Sequence, residues 1–222
     1  MAFTESKMLP LGTKAPDFTL PDTVSGKEMS LKDLLSERAT VIMFICNHCP
    51  YVLHVNPEIV RLAKDYQAEG VQFVGISSND VERYPQDSPE KMKELAEEVG
   101  YPFPYLYDAS QDVAKAYDAA CTPDFYVFDG EGKLFYRGRL DESRPKNDKP
   151  LTGADLRGAL DLPRNGRTPR ARSAGRGSGR AWTERPSTST RATANAGVVR
   201  IPSRPFPKET IERIRQRGRR AA

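Results

Sequence analysis

Two continuously apolar runs, residues 40–45 and 71–77, flank a stretch with helical periodicity, and this β–α–β order constrains the fold more than any other feature. Thr40, Val41, Ile42, Met43, Phe44 and Ile45 do not alternate with polar residues, which suits a central strand buried on both faces. Between the runs, Val52, Val55, Ile59, Leu62, Ala63 and Tyr66 recur at three- and four-residue spacing. That pattern predicts an amphipathic helix beginning near Tyr51 and ending near Gly70, with Pro57 as a kink inside it.

The flanks continue the alternation. Ser30 is placed to cap a short helix over residues 31–36 that carries Leu31, Leu34 and Leu35 on one face. Ser88, Pro89 and Glu90 supply a cap, a first-turn proline and an acid at the positive end of a helix that stops at Gly100. Tyr105, Leu106 and Tyr107 read as a short strand, followed by a helix over 110–119 capped by Ser110. Residues 124–128 and 134–137 flank Asp129, Gly130, Glu131 and Gly132, a hairpin signal. Thr152 with Asp155 three positions on resembles a capping box for a final helix over 153–162. The fold class this predicts is α/β: a mixed central sheet flanked by helices, closing near residue 162.

Charge divides the chain at the same place. Residues 1–163 hold 18 Lys and Arg against 27 Asp and Glu, a net of −9, whereas 164–222 hold 16 against 3, a net of +13. The expected domains are therefore 1–162 and a separate 163–222 segment rich in Arg, Gly, Ser, Thr, Pro and Ala. Too little in that segment can be buried to offset its ordering entropy, so it reads as a disordered basic C-terminal tail. Its composition fits a genuine tail or a shifted reading frame equally. It promises at most a weak, unspecific nucleic acid contact through phosphates. The N-terminus lacks a basic and apolar leader, no run approaches the roughly 18 apolar residues of a membrane span, and the expected compartment is the cytoplasm.

Three cysteines, Cys46, Cys49 and Cys121, are too few for a disulfide framework. Cys46, Asn47, His48 and Cys49 stand where the first apolar run gives way to the helix, and a thiol pair there can open and close a disulfide. The nucleophile in such exchange is a thiolate, and a helix N-terminus lowers a cysteine pKa. Cys46, just before the expected helix, is the expected attacking thiol. Cys49, expected one turn further in and more buried, would resolve the mixed disulfide. His48 adds positive charge when protonated and so predicts a more oxidising couple; its alternative is a solvated turn residue. Thr122 and Pro123 precede the hairpin, and Cys121 is expected near the dithiol.

Residues 15–162 resemble the thioredoxin superfamily, and within it the peroxiredoxin-like redoxin branch of AhpC/TSA type. The matching residues are Ala15, Pro16, Asp17, Phe18, Thr19 and Leu20, then Ser30, Leu31, Lys32, Asp33 and Leu34, the strand–dithiol–helix unit, and Thr122 with Pro123. The resemblance implies a thioredoxin-like fold, a cis Pro123 lying against the dithiol, and thiol–disulfide oxidoreductase activity with an antioxidant role. Its substrates would be disulfide-containing proteins or small thiols, served by a separate reductant. No cofactor, metal or membrane partner is expected. In peroxiredoxins a proline and a threonine precede the reactive cysteine. Here Ile42 and Cys46 hold those positions if Cys49 is reactive, and Ala39 and Met43 if Cys46 is, which favours dithiol exchange over peroxide reduction. A thioredoxin-type tryptophan and buried acid are replaced by Ile45 and Thr40, so proton handling must fall to another group.

Other readings stand beside this one. Cys46, His48, Cys49 and Cys121 form a candidate zinc set. Cys121 is a buried small residue, a neighbour of the dithiol or a third redox partner. His54 and Glu58 are proton shuttles or solvated helix residues. Arg137 and Arg139 either face the site or make surface ion pairs with the acidic body.

Overall fold

The computed structural model describes residues 9–162, so the expectations for the basic segment concern residues outside it. In chain order it runs β1 (Thr19–Pro21), β2 (Glu28–Ser30), α1 (Leu31–Leu34), β3 (Ala39–Phe44), α2 (Pro50–Gln67) and β4 (Val71–Ser77). A 3-10 turn (Pro85–Asp87), α3 (Pro89–Val99), β5 (Tyr105–Tyr107), α4 (Asp112–Ala116), β6 (Asp124–Asp129), β7 (Leu134–Gly138) and α5 (Ala154–Asp161) follow. Five strands form a mixed sheet in the order β5-β4-β3-β6-β7, while β1 and β2 make a separate antiparallel pair. β3 is parallel to β4 and antiparallel to β6, so it is the centre of the sheet, and all six of its residues are buried.

Layers on both faces explain that burial. Val41, Met43 and Ile45 pack with Val52, Ile59 and Leu62 of α2, Met92 of α3 and Leu156 of α5. Ile42 and Phe44, pointing the other way, pack with Leu31 and Leu34 of α1, Tyr117 and Tyr126. Since successive strand residues face opposite sides, an uninterrupted apolar run is what a doubly covered strand requires.

The helix ends follow local capping chemistry at α1 and α3 and depart from it at α4 and α5. Ser30 and Asp33 form a reciprocal capping box, although α1 is shorter than expected. Ser88 accepts from the Lys91 amide, and Gly100 ends α3 at φ 73°, a conformation that favours glycine. Although the Ser110 hydroxyl accepts from the first helical amide, that of Asp112, at 3.1 Å, Ser110 is not the N-cap of α4: Gln111 is, at φ 62°. Nor does Thr152 box α5, whose N-cap is Gly153 at φ 67°. The Thr152 and Gly153 amides are instead taken up by the buried Asp141 carboxylate at 2.8 and 2.7 Å, and Asp155 turns to Arg139. Among the described residues, no helix is long and apolar enough to cross a membrane.

Candidate active site

Strand register assembles the site. Phe44, the last residue of β3, pairs with Asp124, the first of β6, so the loop ending at Pro123 lies beside the chain leaving β3. On the other side Phe44 pairs with Ile76, and the Ile45 amide bonds the Ile76 carbonyl at 2.9 Å, so the segment after β4 emerges at the same edge. Three stretches distant in sequence thus meet at one end of the sheet: 46–49, 78–87 and 121–123.

Cys46 and Cys49 are free thiols, with relative exposures of 0% and 2%. The Thr122–Pro123 peptide is cis. Cys46 Sγ lies 3.2 Å from Thr122 Oγ1, and Cys49 Sγ lies 3.4 Å from the Thr122 carbonyl oxygen, to which it can donate while protonated. One residue of the facing loop therefore touches both sulfurs.

The helix begins later than the sequence suggests. Pro50 is its first residue and Cys49 its N-cap, so Cys46 stands three residues before the cap. The two buried thiols titrate as one coupled pair, with different causes acting on each sulfur. Cys49 is held down to about 6, first by its hydrogen bond with Cys46 and, against the cost of burial, by the amides of Val52 and Tyr51 and by Thr122. Burial pushes the Cys46 thiol well up, helped by the hydrogen bond and charge of Cys49 and by the charge of Asp87. The amides at the start of α2 favour a thiolate on Cys49, whereas burial and the Asp87 carboxylate disfavour one on Cys46.

The sequence missed the group that fastens this loop. Asp87, the last residue of the 3-10 turn, is fully buried, yet its carboxylate accepts four hydrogen bonds. Oδ1 takes the amides of Asn47 and His48 at 2.8 and 3.3 Å; Oδ2 takes His48 Nδ1 at 2.5 Å and Asn79 Nδ2 at 2.7 Å. Asn47 spans the same gap, donating from Nδ2 to the Gln86 carbonyl and accepting from the Tyr105 hydroxyl. His48 is not a solvated turn residue. Its side chain is 8% exposed, its ring stacks on Tyr84 at 4.6 Å, and its Nε2 is buried without a hydrogen-bond partner.

The remaining candidates sort by what they touch. Cys121 is half-buried, and burial with the charges of Asp124 and Cys49 raises its thiol to about 12; it is a neighbour of the site, poorly suited to supply a thiolate. His54 bonds Ser143 through Nε2, and Glu58 is buried in ion pairs with Arg61 and Arg157, so both brace α2. Arg139 pairs with Asp155 and Glu142 as expected of a surface residue. Arg137 corrects that expectation: it is buried, pairs with Asp124 at 3.0 Å and lies over the Tyr126 ring. Thr40, in place of a buried acid, bonds backbone near α1 and takes no part in the site.

For a metal, the described residues gather Cys46, His48 and Asp87, whose donor atoms lie within 4.8 Å of one another, rather than the four-residue set containing Cys49 and Cys121. Asp87 already spends its oxygens on four N–H donors, so the cluster is built as a hydrogen-bonded one.

Residues 11–137 match the AhpC/TSA family. The chain belongs to that family. A crystal structure of an uncharacterized conserved protein from Geobacillus kaustophilus is 62% identical, covers 72% of this chain and 85% of that one, and superposes with a TM-score of 0.71. The thiol-disulfide oxidoreductase ResA of Geobacillus thermodenitrificans is 29% identical over 132 residues, 60% of this chain and 71% of ResA. A Mycobacterium tuberculosis protein named as a peroxiredoxin is 31% identical over 116 residues, 52% of this chain and 68% of that protein. This AhpC/TSA member is thus a redoxin of the thioredoxin superfamily with a thiol-based redox function.

Proposed function

We propose that the protein is a thiol–disulfide oxidoreductase whose working couple is Cys46 with Cys49, and that Cys49 is the attacking thiolate. The observation that carries this is the pair of buried free thiols just before α2, with Thr122 of the cis-proline loop in contact with both. The Cys49 thiolate attacks one sulfur of a substrate disulfide, forming a mixed disulfide and expelling the other sulfur as a thiolate, which takes a proton from water. The charge on Cys49, one of the causes holding Cys46 protonated, is consumed in that bond. Cys46 then loses its proton and attacks Cys49 Sγ, closing the Cys46–Cys49 disulfide and releasing the second substrate thiol. The substrate gains two electrons and two protons, and an external dithiol restores the enzyme.

The test is insulin disulfide reduction with a dithiol donor, alongside trapping of the intermediate. Cys46→Ser is expected to accumulate a mixed disulfide on Cys49 and lose turnover; Cys49→Ser is expected to form none. Trapping on Cys46 in Cys49→Ser, with none on Cys49 in Cys46→Ser, would return the attacking role to Cys46. Failure of wild type to form a reversible Cys46–Cys49 disulfide would end the reading.

A second reading has one observation behind it. A low-pKa thiol at the first turn of a helix also suits attack on a peroxide, and a relative carries the peroxiredoxin name. Peroxide consumption by Cys46→Ser beside wild type separates the two, because peroxide reduction needs only Cys49 for its first step.

A further inference from the structure

We propose that Thr122 is a redox-dependent clamp, holding residues 120–123 over the reduced dithiol and releasing them when the Cys46–Cys49 disulfide forms. The oxidised protein is then the form open to its dithiol reductant. The inference rests on the dithiol reading above and adds to it which segment moves and in which redox state.

With relative exposures of 0% and 2%, Cys46 and Cys49 cannot touch a substrate or reductant sulfur until part of their cover moves. Two segments meet the 46–49 loop, and they are held very differently. On the 78–87 side, Asp87 takes the amides of Asn47 and His48, His48 Nδ1 and Asn79 Nδ2. Asn47 Nδ2 bonds the Gln86 carbonyl there, and Tyr84 stacks on His48. No sulfur takes part in these contacts, so none of them depends on redox state. On the other side, residues 120–123 have two hydrogen bonds among those described, and both end on a sulfur. Thr122 Oγ1 meets Cys46 Sγ at 3.2 Å, and the Thr122 carbonyl meets Cys49 Sγ at 3.4 Å. The flanking anchors are Ala119, whose amide bonds the Ala114 carbonyl, and Asp124, which pairs with Phe44. Between them Ala120 is exposed, and Cys121, Thr122 and Pro123 are half-buried. Thr122 suits the reduced pair in any protonation state: a thiol donates to its carbonyl, and a thiolate on either sulfur accepts from its hydroxyl. Closing the disulfide passes two electrons and two protons to the substrate, so neither sulfur keeps a proton to donate or a charge to attract one. A disulfide sulfur is at best a weak acceptor, and the Thr122 carbonyl loses its donor. Water replaces that donor once the segment moves outward.

The experiment compares the reduced and oxidised full chain by NMR relaxation of the backbone amides. On oxidation the order parameters of Cys121 and Thr122 are expected to fall from about 0.85, the level of a rigid backbone, to below about 0.6, while Asn47, His48 and Asp87 stay rigid. A second readout is Cys121 labelling by a bulky and by a small maleimide, followed by peptide mass spectrometry. The ionised fraction of the thiol cancels in the ratio of the two reagents, which is expected to rise about tenfold on oxidation, as the loss of two such hydrogen bonds allows. Thr122→Val removes the hydroxyl and keeps the carbonyl, so its reduced form is expected to loosen part-way. Cys46→Ala combined with Cys49→Ala removes both sulfurs and should leave the segment as mobile under reducing as under oxidising conditions. Equal order parameters in reduced and oxidised wild type, or a folded double variant as ordered as reduced wild type, would overturn the inference. Should the double variant not fold, the wild-type comparison decides alone. Wild type that forms no reversible Cys46–Cys49 disulfide would instead count against the dithiol reading, and the double variant set against reduced wild type would still decide the clamp.

Discussion

Cys49 caps α2 without a side-chain hydrogen bond of ordinary capping geometry, and that bare cap makes its pH response informative. Its thiol sits at about 6 against an ordinary 9.0, so alkylation of the reduced protein should rise through about pH 6 and level off near neutrality. The stability consequence has a definite sign. A group whose folded pKa is depressed stabilises the fold above its unfolded value and loses that stabilisation as pH falls through the folded one. The gap in urea midpoint between reduced wild type and Cys49→Ser should therefore be largest near pH 9 and close by about pH 6. A gap independent of pH would mean that the charge on Cys49 is not specially held. At this scale the two cysteines were legible from their spacing, and Thr122 and Pro123 from their place before the hairpin. Asp87 was hidden, because it precedes the Ser88 cap in a loop with no local pattern that ties it to a dithiol some 40 residues earlier. Only the β3–β4 register, a non-local fact, brings that loop beneath the dithiol.

Elements were legible where one local force dominates. Continuous burial marked β3 and β4, and the cap, first-turn proline and terminal glycine marked α3. α4 and α5 were bounded less well, because left-handed Gln111 and Gly153 replace the polar caps that Ser110 and Thr152 advertise. Arg137 shows the same limit on a strand: alternation on β7 gave its face, but not that the face is covered. Its guanidinium donates to Asp124 and to the Asp118 carbonyl at 2.7 Å while lying 4.6 Å from the Tyr126 ring. Burial raises the Asp124 carboxyl against this pairing, so the partner depends on the arginine to stay ionised. Replacing one member of a buried pair strands the other. Arg137→Met is expected to cost about 3 kcal/mol in urea unfolding, and Asp124→Asn added to it should recover a large part. Equal losses for the single and double variants would show that the loss comes from the carbonyl and ring contacts instead. Because Asp124 directly follows Pro123, the single variant should also slow disulfide exchange by loosening the loop that carries Thr122.

At the scale of the whole molecule, the body and the basic segment are two objects in sequence and in charge. The two cores that sandwich the sheet draw on residues from Phe18 to Leu160, so the described body closes its own hydrophobic layers. That body's stretch is acidic, with a net of −9 over residues 1–163, and the remaining segment holds the +13. Opposite charges on one chain screen each other in the overall sum of +4, which conceals a segment dense enough in arginine to displace counterions from a polyanion. The full chain should bind a heparin column and elute at a salt concentration that a chain ending at Leu162 does not need, since the shortened chain is repelled. Binding of the full chain to single-stranded nucleic acid should weaken steeply with salt and show no sequence preference, as expected for phosphate contacts alone. The shortened chain should retain the urea transition and the Cys46–Cys49 couple unchanged. A lost transition would mean that residues 163–222 contribute to the core. Equal heparin retention by the two chains would mean that the arginines are already neutralised by the acidic body.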